Sequence, residues 1–301
     1  MAPSEWERTF RGWTGPSSDT EQEKCANAER AVKSAIKASA TLARRNVSVF
    51  TQGSYRNNTN VKIESDVDIC VLCTDTIDLD FTFGKGLDLA AVGLEPATYA
   101  YADFKSEVEA ALVAHFGKAA VHRGDKAFDI HENSYRVDAD VVACFEHRRY
   151  TGTADRFSAI KGTAFRPDSG GLILNWPDQH YANGVKKNDA TSRRFKQLVR
   201  IVKRLRYYME EQGVAAAKGI PSYLVECLVW NVPNGDFGHS NYVADIRHVL
   251  AHLYNNTTSD EGCGEWGEVN ELKYLFRPWQ PWSRQQAHAF VDAAWDFIGF
   301  S

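Results

Sequence analysis

The sequence predicts an α+β protein with a mixed-sheet lobe at residues 18–185 and a helical lobe at 186–301. Three observations carry this. The short, β-branched, alternating runs Val47 to Thr51, Ile63 to Leu72 and Arg136 to Phe145 all lie in the first half. Apolar residues at helical spacing dominate from Ser192 onward. A long helical stretch precedes the first strand.

The 301 residues suffice for one large or two modest domains with a sizeable core. A net charge of −4 argues against a surface that coats nucleic acid, so no stable nucleic-acid partner is expected. No apolar run reaches membrane-span length, and the opening MAPSEWERTFRGW lacks a signal core, so the reading is cytoplasmic with no membrane partner. The six cysteines sit mostly in apolar runs. Cys70 and Cys73 fall on opposite faces of one strand, which favours a reduced core over zinc or redox chemistry.

Residues up to about Ser17 read as irregular. Ser18 with Glu21 forms a capping-box signal. The helix after it is expected to run to about Arg45, burying Cys25, Ala28, Val32, Ala35, Ile36 and Leu42. Beyond the strand ending near Leu72, Thr74 to Pro96 reads as less regular, with Asp78 and Asp80 at the surface. Tyr101 to Phe116 reads as a helix with Phe104, Val108, Leu112 and Phe116 as its stripe. Ala119 to His122 and Ala127 to Ile130 are short strand candidates, and Gly171 to Trp176 is a further edge segment. Asp178 to Thr191 is polar, with Asn183-Gly184 as a turn, and reads as the boundary between lobes. Ser192 to Gln212 is a helix whose Lys196, Arg200, Lys203 and Tyr207 align in one stripe; a solvated face is the bland interpretation. A further helix opens at Ser222, where the hydroxyl is placed to cap, and its Glu226 needs a buried polar partner. Tyr242 to Tyr254 and Ser283 to Ile298 are amphipathic helices that close the lobe.

The chemistry concentrates in Thr51 to Val71, TQGSYRNNTNVKIESDVDICV. Gly53-Ser54 follows a strand; glycine lets a phosphate approach the backbone, and serine adds a hydroxyl. After eleven intervening residues Asp66 and Asp68 stand two apart on a strand, so their carboxylates share a face. Like charges that close call for a cation, and oxygen-only ligands suit Mg²⁺. A third carboxylate is expected on the Arg136 to Phe145 strand, with Asp140 favoured over Asp138. Together these features point to metal-assisted phosphoryl transfer.

The pattern G-S-x11-D-V-D-I with a later D-V-V resembles the DNA polymerase-β-like nucleotidyltransferases. Within them, GSYRNNT followed by SDVDICV resembles the bacterial relatives of cyclic GMP–AMP synthase, the CD-NTases of CBASS anti-phage defence, over about Asp19 to Pro233. The resemblance implies two Mg²⁺ ions, with Mn²⁺ possible, held by Asp66, Asp68 and Asp140. It implies a triphosphate held by Gln52, Gly53, Ser54, Lys203 (Lys196 as second choice) and Ser222. It also implies a cleft with helices of the second half as its other wall, and NTP substrates (ATP, UTP, GTP or CTP) joined into a cyclic product with release of pyrophosphate. The product would act on a downstream effector, and the enzyme is expected to be a monomer. Other nucleotidyltransferases of the superfamily, acting on RNA ends, a protein or a small molecule, are the first alternative. An inactive nucleotide sensor is the second, disfavoured because all three carboxylates are present.

Overall fold

A computed structural model describes residues 2–16, 18–61 and 66–300. The chain divides into a sheet unit of residues 18–56 and 62–177, and a helical unit of residues 1–17, 57–61 and 178–301.

The sheet unit is built on one mixed sheet. Strand β1 (Val47–Thr51) pairs antiparallel with β2 (Val67–Lys85), and β2 pairs parallel with β5 (Ala139–Thr153). The other edge of β5 is shared. Its first residues take β4 (Phe128–Ile130), which pairs in turn with β3 (Val121–Arg123). Its later residues take β6 (Arg156–Phe165), with β7 (Ile173–Asn175) beyond.

Alternation along these strands separates two faces. Val67, Ile69, Val71 and Cys73 of β2, with Val141, Ala143 and Phe145 of β5, are buried in one cluster. Two helices supply the rest of it: α2 (Asp19–Ala38) through Cys25, Ala28 and Val32, and α4 (Tyr101–Phe116) through Phe104, Val108 and Leu112. The intervening Cys70, Val142 and Cys144 form a smaller cluster with Phe165 on the opposite face. Each large apolar side chain buried there contributes about 1.5–3 kcal/mol. A one-residue slip would send the strand's polar set into that core, so the register is strongly specified. All six cysteines are buried and none is in a disulfide, with Cys70 and Cys73 on opposite faces as expected.

Three expectations for this unit need correction. Helix α2 starts as predicted, with Ser18 Oγ accepting from Glu21 N at 3.3 Å, but it stops at Ala38 rather than near Arg45. Ser39 Oγ accepts from Leu42 N at 3.3 Å, a local bond that competes with the helix, and Leu42 is buried from a 3-10 turn instead. The irregular stretch after Leu72 is the continuation of β2, which runs to Lys85. Register shifts against β5 at Cys73/Ile77 and Asp80/Phe83 interrupt its alternation. Asp78 and Asp80 are paired rather than loosely solvated: Asp78 lies 2.8 Å from His147 Nδ1, and Asp80 accepts from Arg149 Nε at 2.9 Å. The predicted opening residues of this strand, 63–65, lie outside the described residues.

The helical unit begins earlier than the sequence suggests. Residues 3–13 form helix α1 (Pro3–Trp13), not an irregular lead. Trp6 and Phe10 enter the core with Phe195, Leu198, Leu224, Ile246 and Phe290. Trp6 also packs edge-on to Phe297 at 5.9 Å. The polar stretch after Asp178 is likewise helical, as α5 (Pro177–Ala190). Gly184 lies inside it and Asn183 Nδ2 donates to Val269 O at 2.9 Å, so tertiary contacts override the turn signal. Lys187 Nζ donates to Val232 O at 2.7 Å. Helices α6 (Arg194–Glu211), α7 (Ser222–Trp230), α8 (Tyr242–Thr257), the short α9 (Asp260–Cys263) and α10 (Arg284–Ile298) complete the unit. Among the described residues no helix is long and apolar enough to cross a membrane.

Candidate active site

The parity that buries Ile69 and Val141 places Asp68 and Asp140 on the face away from α2 and α4. They are direct neighbours, since the parallel register pairs Asp68 with Asp140. The antiparallel register then pairs Asp140 with Asp129 of β4, and Asp129 with His122 of β3. Phe128 and Ile130 point into the helix-side core, so Asp129 faces the same way as Asp140. His122 Nδ1 lies 3.1 Å from Asp129 Oδ2. The strands thus line up three carboxylates and an imidazole in one row, with Asp66 exposed just before β2. Asp129 escaped the sequence analysis. Its signal was the aspartate between two apolar residues in Phe128-Asp129-Ile130, which repeats the local pattern of Asp68.

The electrostatics agree with this crowding. Burial pushes the Asp140 carboxyl up to about 7, reinforced by the charges of Asp66, Asp68 and Asp129 and by a hydrogen bond with Asp129. Asp138 is used differently. Glu132 N donates to its Oδ1, and His131 Nδ1 is 3.9 Å away.

Beside the row, β1 leads into helix α3 (Gly53–Asn57), so Gly53-Ser54 opens a short helix rather than a simple turn. Gln52 N donates to Asp68 O at 2.8 Å, bringing the start of that helix against the carboxylate strand. Gly53 has φ +66, and a Cβ there would overlap the Asp68 carboxylate. Only glycine satisfies both the left-handed backbone and this close approach. The donor set is all oxygen and strongly negative, which fits a hard divalent cation. Among the described residues no three His, Cys, Asp or Glu side chains converge to ion-ligand spacing.

Two further predicted residues belong to the helical unit. Lys203 is 2 % exposed, so the expected solvated stripe is not its setting. Its Nζ donates to Glu226 Oε2 at 2.7 Å, Thr59 O at 3.2 Å and Thr59 Oγ1 at 3.3 Å, which engages all three ammonium protons. Glu226 also accepts from Thr59 Oγ1 at 2.6 Å and lies 2.9 Å from His180 Nε2, so it has the buried partners expected for it. Burial alone would raise its carboxyl, but the charge of Lys203 and the bond from His180 hold it well below the usual range. Lys196, two turns earlier on the same stripe, is half-buried, with its ammonium 5.6 Å from the Tyr181 ring. Ser222 is the first residue of α7, behind Pro221 at the N-cap, and its hydroxyl does not cap. Instead Ser222 Oγ lies 3.4 Å from Arg206 Nη2 and 3.3 Å from Tyr207 OH.

Comparison with known proteins is consistent with this geometry. Residues 182–299 match the family described as the cGAS/DncV-like nucleotidyltransferase C-terminal helical domain. A cyclic dipyrimidine nucleotide synthase CdnE from Legionella pneumophila is 49% identical, over 98% of each chain. One of the same name from Cecembia lonarensis is 40% identical, again over 98% of each chain. The structure of the Elizabethkingia meningoseptica CdnE cyclic dinucleotide synthase with GTP and Apcpp superposes with a TM-score of 0.79 at 33% identity, covering 98% of this chain and 99% of that one. The chain belongs to the cGAS/DncV-like nucleotidyltransferases, or CD-NTases, metal-dependent enzymes of polymerase-β-like fold that make cyclic oligonucleotides.

Proposed function

We propose that this enzyme joins two pyrimidine nucleoside triphosphates, UTP or CTP, into a cyclic dinucleotide and releases pyrophosphate. The row of Asp68 and Asp140 behind Asp66, with the Gly53 backbone against it, is the observation that carries the chemistry. The choice of pyrimidines is supported by the two relatives at 49% and 40% identity, both called cyclic dipyrimidine synthases.

Asp66, Asp68 and Asp140 would hold two Mg²⁺ ions, with Mn²⁺ able to serve. These ions supply charge neutralisation on the triphosphate and a lowered pKa for the attacking ribose hydroxyl. Asp140 would position the acceptor hydroxyl or take its proton. Gly53 and Ser54 cradle the triphosphate through backbone N–H groups and the serine hydroxyl, beside Gln52, whose own N–H is given to Asp68 O. Ser222 adds a hydroxyl at the N-terminus of α7, where the helix dipole favours phosphate. With the protons of Lys203 engaged by Glu226 and Thr59, Lys196 is the better lysine for the polyphosphate. In this reading residues 18–185 carry the catalysis and residues 186–301 complete nucleotide binding. The enzyme works in the bacterial cytoplasm as a monomer, and its product binds a downstream effector of anti-phage signalling.

The test is incubation of the purified protein with the four labelled NTPs and Mg²⁺ or Mn²⁺, followed by phosphatase treatment and mass spectrometry, with Asp66→Ala/Asp68→Ala as control. A phosphatase-resistant cyclic product containing only U or C, absent in the control, supports the reading. A cyclic product containing purines overturns the base choice. Label on added RNA or protein overturns the cyclic product.

A further inference from the structure

The segment 57–61 joins α3 to the residues before Asp66, yet it packs as part of the helical unit. Two buried groups hold it there. Arg200, 6 % exposed, donates through Nη1 to Asn58 O, at a residue with φ +56. Thr59 is fully buried, with its hydroxyl donating to Glu226 and both its oxygens accepting from Lys203. Glu226 gathers contributions from three helices and this segment: His180 of α5, Lys203 of α6, its own α7, and Thr59.

A buried ion pair is a poor way to gain stability, because desolvation offsets most of the attraction. Its best-attested use is to specify one arrangement over others. Here the specified object is short. Thr59 follows Ser54 by five residues and precedes Asp66 by seven, so the chain reaches at most about 18 Å one way and about 25 Å the other. We infer that Thr59, held by Lys203 and Glu226, is a positioning residue that fixes residues 57–61, which follow the phosphate cradle at Gly53-Ser54 and precede the metal-binding Asp66 in the chain. Lys203 then acts through Thr59 instead of touching nucleotide. The inference rests on the assignment of those residues as the nucleotide and metal site.

The experiment compares Thr59→Val, which keeps shape and removes the hydroxyl, with Thr59→Ser, which keeps the hydroxyl, and with Glu226→Gln. Amide hydrogen exchange on the nucleotide-free proteins is the first readout. Thr59→Val and Glu226→Gln are expected to speed exchange at least tenfold in peptides spanning 52–61 and to leave peptides from α8 and α10 unchanged, while Thr59→Ser resembles the wild type. Steady-state kinetics are the second. Thr59→Val is expected to lower kcat at least tenfold with KM for the nucleotide within about twofold, and Thr59→Ser to recover most of it. Unchanged exchange in 52–61 with wild-type kcat overturns the inference. So does a rise in KM alone for Lys203→Met, which would restore direct triphosphate contact. If the wild type makes no cyclic product, the proposed function fails while the exchange result still decides the tether.

Discussion

Asp129 and Asp140 are cross-strand partners on one face of the sheet, directly opposite each other in the β4–β5 register. Burial, and then the charges of Asp66, Asp68 and Asp129, push the Asp140 carboxyl up to about 7. A cation entering the site must displace that proton, so metal affinity falls as pH drops below about 7 and levels off above it. Asp129→Asn removes one of the raising charges. The midpoint of that affinity curve is expected to move to lower pH, as read by Mn²⁺ binding to nucleotide-free protein across the titration. A midpoint that stays put or rises counts against the coupling.

Gly53 combines φ +66 with an approach that leaves no room for a Cβ beside Asp68. Gly53→Ala costs about 1–2 kcal/mol for the left-handed backbone alone. It also displaces the Asp68 carboxylate, and a misplacement of about 1 Å in such a site lowers turnover about 100-fold. Product formation should fall by about that factor in a protein that still melts cooperatively.

Glu226 links acid stability to the buried ion cluster. Its folded carboxyl lies well below its ordinary value, because the charge of Lys203 and the bond from His180 outweigh burial. A depressed carboxylate contributes its stability in full above the unfolded value and loses it as pH falls toward the folded one. The wild type is therefore expected to lose urea resistance on acidification below about pH 4.5 more steeply than Glu226→Gln/Lys203→Met. At neutral pH, Glu226→Ala strands the buried Lys203 and should cost about 3–5 kcal/mol. Urea melts at several pH values measure both.

Helix α1 is structural, since Trp6 is 1 % and Phe10 0 % exposed. Trp6→Ala should destabilise the helical unit by about 3–5 kcal/mol. Hydrogen exchange would show the loss in α6, α8 and α10, whose buried faces share that core.

The sequence by itself determined the active-site strands. Gly53, Asp68 and Asp140 were legible because their signals are local: a glycine after a strand, and aspartates in a period-2 pattern that decides their face within a few residues, whereas Asp66 falls just before β2 and not on it as expected. The helices with strong apolar stripes, Tyr101–Phe116 above all, were legible for the same reason. Tertiary structure alone decided what depends on distant partners. Asp129 joined the row only once the register set β4 beside β5. The charged stripe of α6 looked solvated until Lys203 met Thr59, 144 positions away, and Glu226. The polar stretch 178–190 became helix, and the Pro3–Trp13 lead became core, because side chains far along the chain covered them. Periodicity reports which way a side chain points, whereas burial of a charge depends on which remote group arrives to meet it.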